Sequence, residues 1–330
     1  MAVIRFAPGA RPAVWRGSLA WTGSWQPWRL PPDLIATAHA PGLVTTARMP
    51  AGVRAVVRTD ATALELRTFA VNDEVTSLDV VVDGTLWRRT PLTAGAATSQ
   101  VTLPPGAKVV EVWLPQFGEL RTGPLVLHGA TYATAADEGF RWVTYGSSIT
   151  QCRSASGPSE TWPALVARRL GWDLTCLGFA GECHLDPVVA RTITRTPVDL
   201  ISLCLGINIY GRASLGPRTL AGQVSGFVQT IRDAQPHVPI VVISPIVSPS
   251  RERSPNQAMM TLDDVRGTVT DAVTTLRRRG DAQLHLIDGP SVLGPDDAHL
   301  LADGLHPGAD GYHLMAERLA PRLAAIAPEP

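Results

Sequence analysis

The sequence predicts an α/β fold built on a parallel five-stranded sheet and preceded by an all-β sandwich of jelly-roll type. Three observations carry that prediction. From Phe140 onward, short apolar runs alternate with helix-length amphipathic stretches, the pattern of a parallel sheet covered on both faces. Before about residue 130 the apolar positions alternate with polar ones and are broken by turn signals, with almost no helical periodicity. Between the two, residues 132–139 lose both patterns. The expected organisation is therefore a sandwich over residues 1–131, a linker over 132–139 and an α/β unit over 140–330.

In the first part, strands are expected at 55–59, 63–69, 78–82 and 109–114, where β-branched residues recur with period two. Asp83-Gly84 and Pro104-Pro105-Gly106 supply turns between them. Short strands at this spacing point to two packed antiparallel sheets. In the second part the apolar runs at 141–145, 173–177, 200–205, 240–244 and 284–288 read as buried strands. Helices are expected at 163–170, 220–234, 262–279 and 312–326, and right-handed crossovers then place them on both faces of the sheet.

Composition narrows the function classes. Lys plus Arg and Asp plus Glu both number 29, and the basic residues are scattered apart from short runs such as Arg277-Arg278-Arg279, so neither nucleic acid nor an anionic membrane surface is an expected partner. A small, roughly neutral organic substrate fits better. The cysteines, Cys152, Cys176, Cys183 and Cys204, lack paired Cys-x-x-Cys spacing and read as small core hydrophobes. Arg5 and Pro8 interrupt the apolar start before a secretion signal can form, and no later run has membrane length, so a cytoplasmic protein is expected.

Four polar segments make chemical sense together: Gly146-Ser147-Ser148-Ile149-Thr150, Gly178-Phe179-Ala180-Gly181, Gly206-Ile207-Asn208 and Asp303-Gly304-Leu305-His306. The first three follow apolar strand-like runs. A parallel sheet would carry them to one edge, where the late Asp-x-x-His turn could meet them. A serine hydroxyl is inert at neutral pH until a base takes its proton, and a histidine oriented by a nearby carboxylate is such a base. The metal alternative is weak: Glu182, Cys183 and His184 are adjacent, but no His-Glu-x-x-His or Cys-x-x-Cys spacing accompanies them.

In this order the segments resemble the blocks of the GDSL/SGNH hydrolases over roughly residues 138 to 325. The resemblance implies a three-layer domain of flavodoxin-like strand order. It implies Ser148 as nucleophile, His306 as base and Asp303 as its orienting carboxylate, with an oxyanion hole made by the N–H groups of Ser148 and Gly181 and the side-chain amide of Asn208. Two positions depart from the family pattern. Ser147 stands where Asp usually precedes the serine, and Ile209 where Asp usually follows the asparagine. Neither is a triad position. Tyr210 and Trp162 are candidates for substrate contacts at the pocket rim, and His184 for lining or supporting the pocket.

The reaction implied is serine-dependent hydrolysis of a small or medium carboxylic ester, with no metal or organic cofactor required. A sandwich fused to such a domain is also similar to acetyl-removing carbohydrate esterases and to acyltransferases that decorate sugars or polyketides, so transfer to a hydroxyl is an alternative. A third reading makes the chain a carbohydrate binder on a decayed hydrolase, with Trp15, Trp21, Trp25, Trp28, Trp87 and Trp113 as candidate surface aromatics. Intact Ser, His, Asp and Asn argue against it.

Overall fold

The computed structural model describes residues 2–10, 14–23 and 25–328. Residues 2–135 supply two large antiparallel sheets and a two-stranded ribbon, Ala20–Thr22 with Gln26–Trp28. One has the order Ala2–Phe6, Leu120–Ala130, Ala63–Ala70, Gly95–Thr102. The other runs Ala133–Ala135, Arg54–Thr59, Lys108–Trp113, Ser77–Val82, Thr85–Pro91. The apolar positions of the alternating runs meet between the sheets: Leu64, Leu66, Val80, Val110, Val112, Leu125 and Leu127 are all fully buried in one cluster. This period-two division of each strand into an inner and an outer face is what fixes its register.

Two features of this part differ from the sequence reading. The segment expected as a patternless linker contributes the strand Ala133–Ala135, which pairs with Arg54–Thr59 and closes an edge that would otherwise lie open. Residues 28–47, expected to be β or irregular, contain the short helices Pro32–Ile35 and Pro41–Thr46. Each begins with proline in its first turn, where the missing N–H has no helical partner to lose. Six residues or fewer give too little periodicity to read. Their apolar residues Leu34 and Leu43, with Leu30 and Ala47, join the core of the C-terminal half.

The C-terminal half is a five-stranded parallel sheet with helices on both faces. The strands Trp172–Gly178, Phe140–Gly146, Leu200–Cys204, Ile240–Ile243 and Leu284–Ile287 lie in that spatial order, so the second strand in sequence is at one edge. Alternate residues feed opposite faces. Val143, Tyr145, Ile201 and Leu203 pack under the helices Pro187–Arg195, Leu220–Ala234 and Leu262–Arg278. Trp142, Val241 and Ile243 pack under Trp162–Leu170 and Ala309–Ile326. The helix Pro187–Arg195 was not expected from sequence, since its apolar positions are diluted by Thr and Arg.

Buried charges tie the halves together. Asp173, at the start of the edge strand, accepts from Arg16 at 2.6 Å, from Arg54 at 3.0 Å and from the Gly139 N–H at 2.7 Å. Asp79, fully buried in the sandwich, accepts two bonds of 2.8 Å from Arg89 and a 2.7 Å bond from the Ser159 hydroxyl. Arg29 is fully buried and donates to four backbone carbonyls, those of Thr46, Met49, Cys176 and Gly178. Burial lowers its pKa to about 10, so the guanidinium stays charged at neutral pH. No helix among the described residues is long and apolar enough to cross a membrane.

Candidate active site

The strand Phe140–Gly146 ends at Ser147, whose side chain accepts the Ile149 N–H at 3.2 Å and caps the short helix Ser148–Gln151. The residue that replaces the usual Asp is thus a cap, and Ser148 is the first helical residue beyond it. That helix crosses close over the neighbouring strand end: a side chain at Gly178 would meet the backbone N of Gln151 at 2.5 Å, so only glycine fits there.

Although 158 residues separate them, the Ser148 hydroxyl lies 2.9 Å from Nε2 of His306. Nδ1 of His306 lies 2.7 Å from Oδ2 of Asp303. A carboxylate only accepts, so Nδ1 carries the proton and Nε2 is the acceptor for the serine O–H. The other carboxylate oxygen accepts the backbone N–H groups of His306 at 2.7 Å and Leu305 at 3.0 Å. Partial burial works against the charged form of Asp303, but these backbone bonds and the His306 ring outweigh it and hold the carboxyl down at about 2.

The Asp-x-x-His turn is pinned by groups that no motif announced. Gly304 adopts φ 74° and its carbonyl accepts the hydroxyl of fully buried Ser248 at 2.7 Å. The Ala302 N–H bonds back to the His306 carbonyl at 2.8 Å. Ser248 lies in a loop whose sequence has no periodicity and no recognisable block, so nothing local marks it.

Asn208 sits in the first turn of the helix Ile207–Arg212, and its Oδ1 accepts the Cys183 N–H at 3.0 Å. That bond fixes the amide, so Nδ2 faces the other way, with no acceptor among the described residues. The Gly181 N–H likewise has no acceptor among them. The third expected donor is a correction: the Ser148 N–H donates to the Ala180 carbonyl at 2.7 Å and is not free in this conformation. The loop after the edge strand, bonded to the first strand through Phe179 N–H and the Gly146 carbonyl at 2.8 Å, puts that carbonyl there.

Trp162 and Tyr210 do not form a rim, whereas His184 supports the site. Trp162 is fully buried, donates to the Ile149 carbonyl at 3.0 Å and packs on Trp142, because it opens a helix on the inner face. Tyr210 is 8% exposed, and its hydroxyl donates to the Ser254 carbonyl at 2.9 Å. His184 bonds the Gly181 carbonyl through Nε2 at 3.0 Å and the Ser214 hydroxyl through Nδ1 at 2.8 Å, so it braces the loop beside the serine. Ile209 is buried in the core, where the expected carboxylate would have no place.

Rival chemistries find less support. Burial pushes the thiols of Cys152, Cys176, Cys183 and Cys204 up, so none is a thiolate at neutral pH. Among the described residues no group of three or more His, Cys, Asp or Glu could hold a metal ion. Of the six sandwich tryptophans, Trp15, Trp28 and Trp113 are buried, Trp21 is half-buried, and Trp25 and Trp87 are exposed. Trp25 and Phe69 line a groove of about 780 Å³ with Arg5, Arg67 and Arg121 on the outer sandwich face, and no residue of the Ser-His-Asp cluster lines it.

A parallel α/β sheet bearing Ser, His and Asp in hydrogen-bonded series beside an asparagine amide defines an acyl-transferring serine enzyme. Residues 141–324 match the GDSL-like lipase/acylhydrolase family, and the chain belongs to it. Residues 17–122 match the N-terminal domain of SsfX3. The solved structure of the salicylyl-acyltransferase SsfX3 from a tetracycline biosynthetic pathway superposes with a TM-score of 0.90 at 34% identity, over 98% of this chain and 97% of that one. A GDSL lipase of Mycobacterium tuberculosis is 26% identical over 216 residues, 62% of this chain and 84% of that protein. A family two carbohydrate esterase from Cellvibrio japonicus shares the fold, with a TM-score of 0.63 at 16% identity over 98% of both chains.

Proposed function

We infer that the protein cleaves a small or medium carboxylic ester through an acyl-Ser148 intermediate. The observation that carries this reading is the continuous series from the Ser148 hydroxyl through His306 to Asp303, at 2.9 and 2.7 Å. The Ser148 oxygen attacks the carbonyl carbon while its proton passes to Nε2 of His306, and the carbonyl π electrons move onto oxygen. Asp303 stabilises the imidazolium without accepting its proton. The Asn208 amide donates to the oxyanion, as a neutral group that cannot quench it by proton transfer. As the tetrahedral species collapses, Nε2 returns its proton to the departing alkoxide, and a second hydroxylic molecule repeats the sequence to release the acyl group.

Water is the acceptor that the site favours on present geometry, because the His306 and Asp303 side chains are 29% and 57% exposed. Transfer to a hydroxyl of a sugar or a polyketide-like natural product is the second reading. It is supported by the end-to-end similarity to the salicylyl-acyltransferase, which includes the N-terminal sheets. A fluorophosphonate probe should label the wild type and not Ser148→Ala; an unlabelled wild type would remove the nucleophile. Incubation with an activated ester and competing alcohols then separates the readings. New ester formed at millimolar alcohol in the presence of bulk water favours transfer, and free acid alone favours hydrolysis.

A further inference from the structure

We propose that the peptide joining Ala180 to Gly181 is a latch on the oxyanion hole, turning over as the substrate carbonyl enters. This inference rests on Ser148 being the nucleophile. In a planar trans peptide the C=O and the N–H point in opposite directions. Because the Ala180 carbonyl faces the Ser148 N–H, the Gly181 N–H faces away from it. Both amides converge on one oxyanion only after the peptide rotates by about 180°. That motion releases Ser148 N–H and carries Gly181 N–H to the same side.

The flanking chain is held so that this one peptide can turn alone. On one side Phe179 donates its N–H to the Gly146 carbonyl at 2.8 Å, and its carbonyl accepts the Glu182 N–H at 2.8 Å, closing a tight turn. On the other, His184 holds the Gly181 carbonyl at 3.0 Å. Ala180 has φ 46° and Gly181 lies outside the left-handed region, the combination of a type II′ turn. Reversing the central peptide converts such a turn to type I′, in which the second residue moves to positive φ. Ala180 already has the positive φ that both turns need, so at this residue only ψ changes, and Gly181 is the residue type that reaches positive φ without penalty.

Packing gives no other reason for glycine at 181. A methyl group there would have one neighbour within 4 Å, Nη2 of Arg212 at 4.0 Å. The closed form keeps the Ser148 donor satisfied when no substrate is bound. The open form exchanges that neutral hydrogen bond for a charge-assisted one that exists only as the oxyanion develops, so the exchange favours the transition state over the ground state.

Gly181→Ala tests the latch, because alanine keeps the N–H and fits the closed conformation. If the peptide turns, kcat and the fluorophosphonate labelling rate both fall by roughly tenfold with little change in KM or melting temperature, since alanine resists positive φ. Full activity in this variant would overturn the latch. A crystal structure of the wild-type phosphonyl adduct provides the second measurement. The proposal expects both the Ser148 and Gly181 amides on the phosphonyl oxygen, with Ala180 released. An adduct in which Ser148 N–H still donates to Ala180 overturns the latch alone, and failure of the wild type to label at all overturns the nucleophile with it.

Discussion

At the residue scale, the site separates groups that move protons from groups that only hold them. Asn208 is oriented by Cys183 N–H, so its free Nδ2 is the donor to test. In Asn208→Ala, kcat should fall by about 10²–10³ with KM little changed, because the lost bond matters most in the transition state. Steady-state kinetics on one ester would check it, and a matched loss in 1/KM would argue for ground-state binding instead. Asp303 is held at about 2, below its unfolded value near 3.9. Its stabilising contribution is thus present above the unfolded pKa and lost as pH falls through about 2. Asp303 therefore stays ionised between pH 5 and 9. Asp303→Asn should lower the plateau of the pH–rate profile by about 10²–10⁴-fold. An acid limb above pH 4 that disappears in this variant would contradict that assignment.

At the scale of elements, the loop carrying Ala180 and Gly181 is positioned by the N-terminal half. Arg29 reaches across to the Cys176 and Gly178 carbonyls and stacks on the Phe179 ring at 4.9 Å. Arg29→Met fills similar volume but leaves carbonyls at Met49 and Gly178 without this donor. Stability should fall by about 3 kcal/mol or more, read as a shifted denaturant midpoint at constant slope. A midpoint within error of wild type would show that the carbonyls find other donors. The sheet strands themselves were readable because runs such as 240–243 are apolar throughout, as expected of a strand buried on both faces. The helices Ile207–Arg212 and Pro187–Arg195 were not, since one is short and the other has its apolar positions interspersed with Thr and Arg.

At the scale of the molecule, the two halves share core and charge. Leu30, Leu34 and Leu43 pack with Phe179 and Leu185, and Asp173 neutralises Arg16 and Arg54 at the junction. Arg54 lies over the Trp113 ring at 4.8 Å and its side chain is 4% exposed, so it depends on that carboxylate. Asp173→Ala should destabilise the protein by about 3–5 kcal/mol, since it strands a buried cation. Calorimetry should show either a lowered single transition or its division into two. An unchanged melting temperature would mean that water satisfies Arg54. The N-terminal half contributes no residue to the Ser148, His306 and Asp303 series; it reaches the neighbouring loop through Arg29.

The sequence by itself determined the layer architecture, the strand order implied by its family blocks, and the pairing of Ser148 with His306 and Asp303. Hydrophobic periodicity is local, and residue types that do chemistry are few enough to recognise in order. Tertiary structure alone decided that Trp162 and Tyr210 face inward, that Ser248 pins the Asp-x-x-His turn, that Arg29 binds the strand end at Gly178 from 149 positions away, and that the Ser148 amide is held by Ala180. Those outcomes depend on where backbone carbonyls point and on contacts between residues more than a hundred positions apart. Side-chain identity carries no record of either.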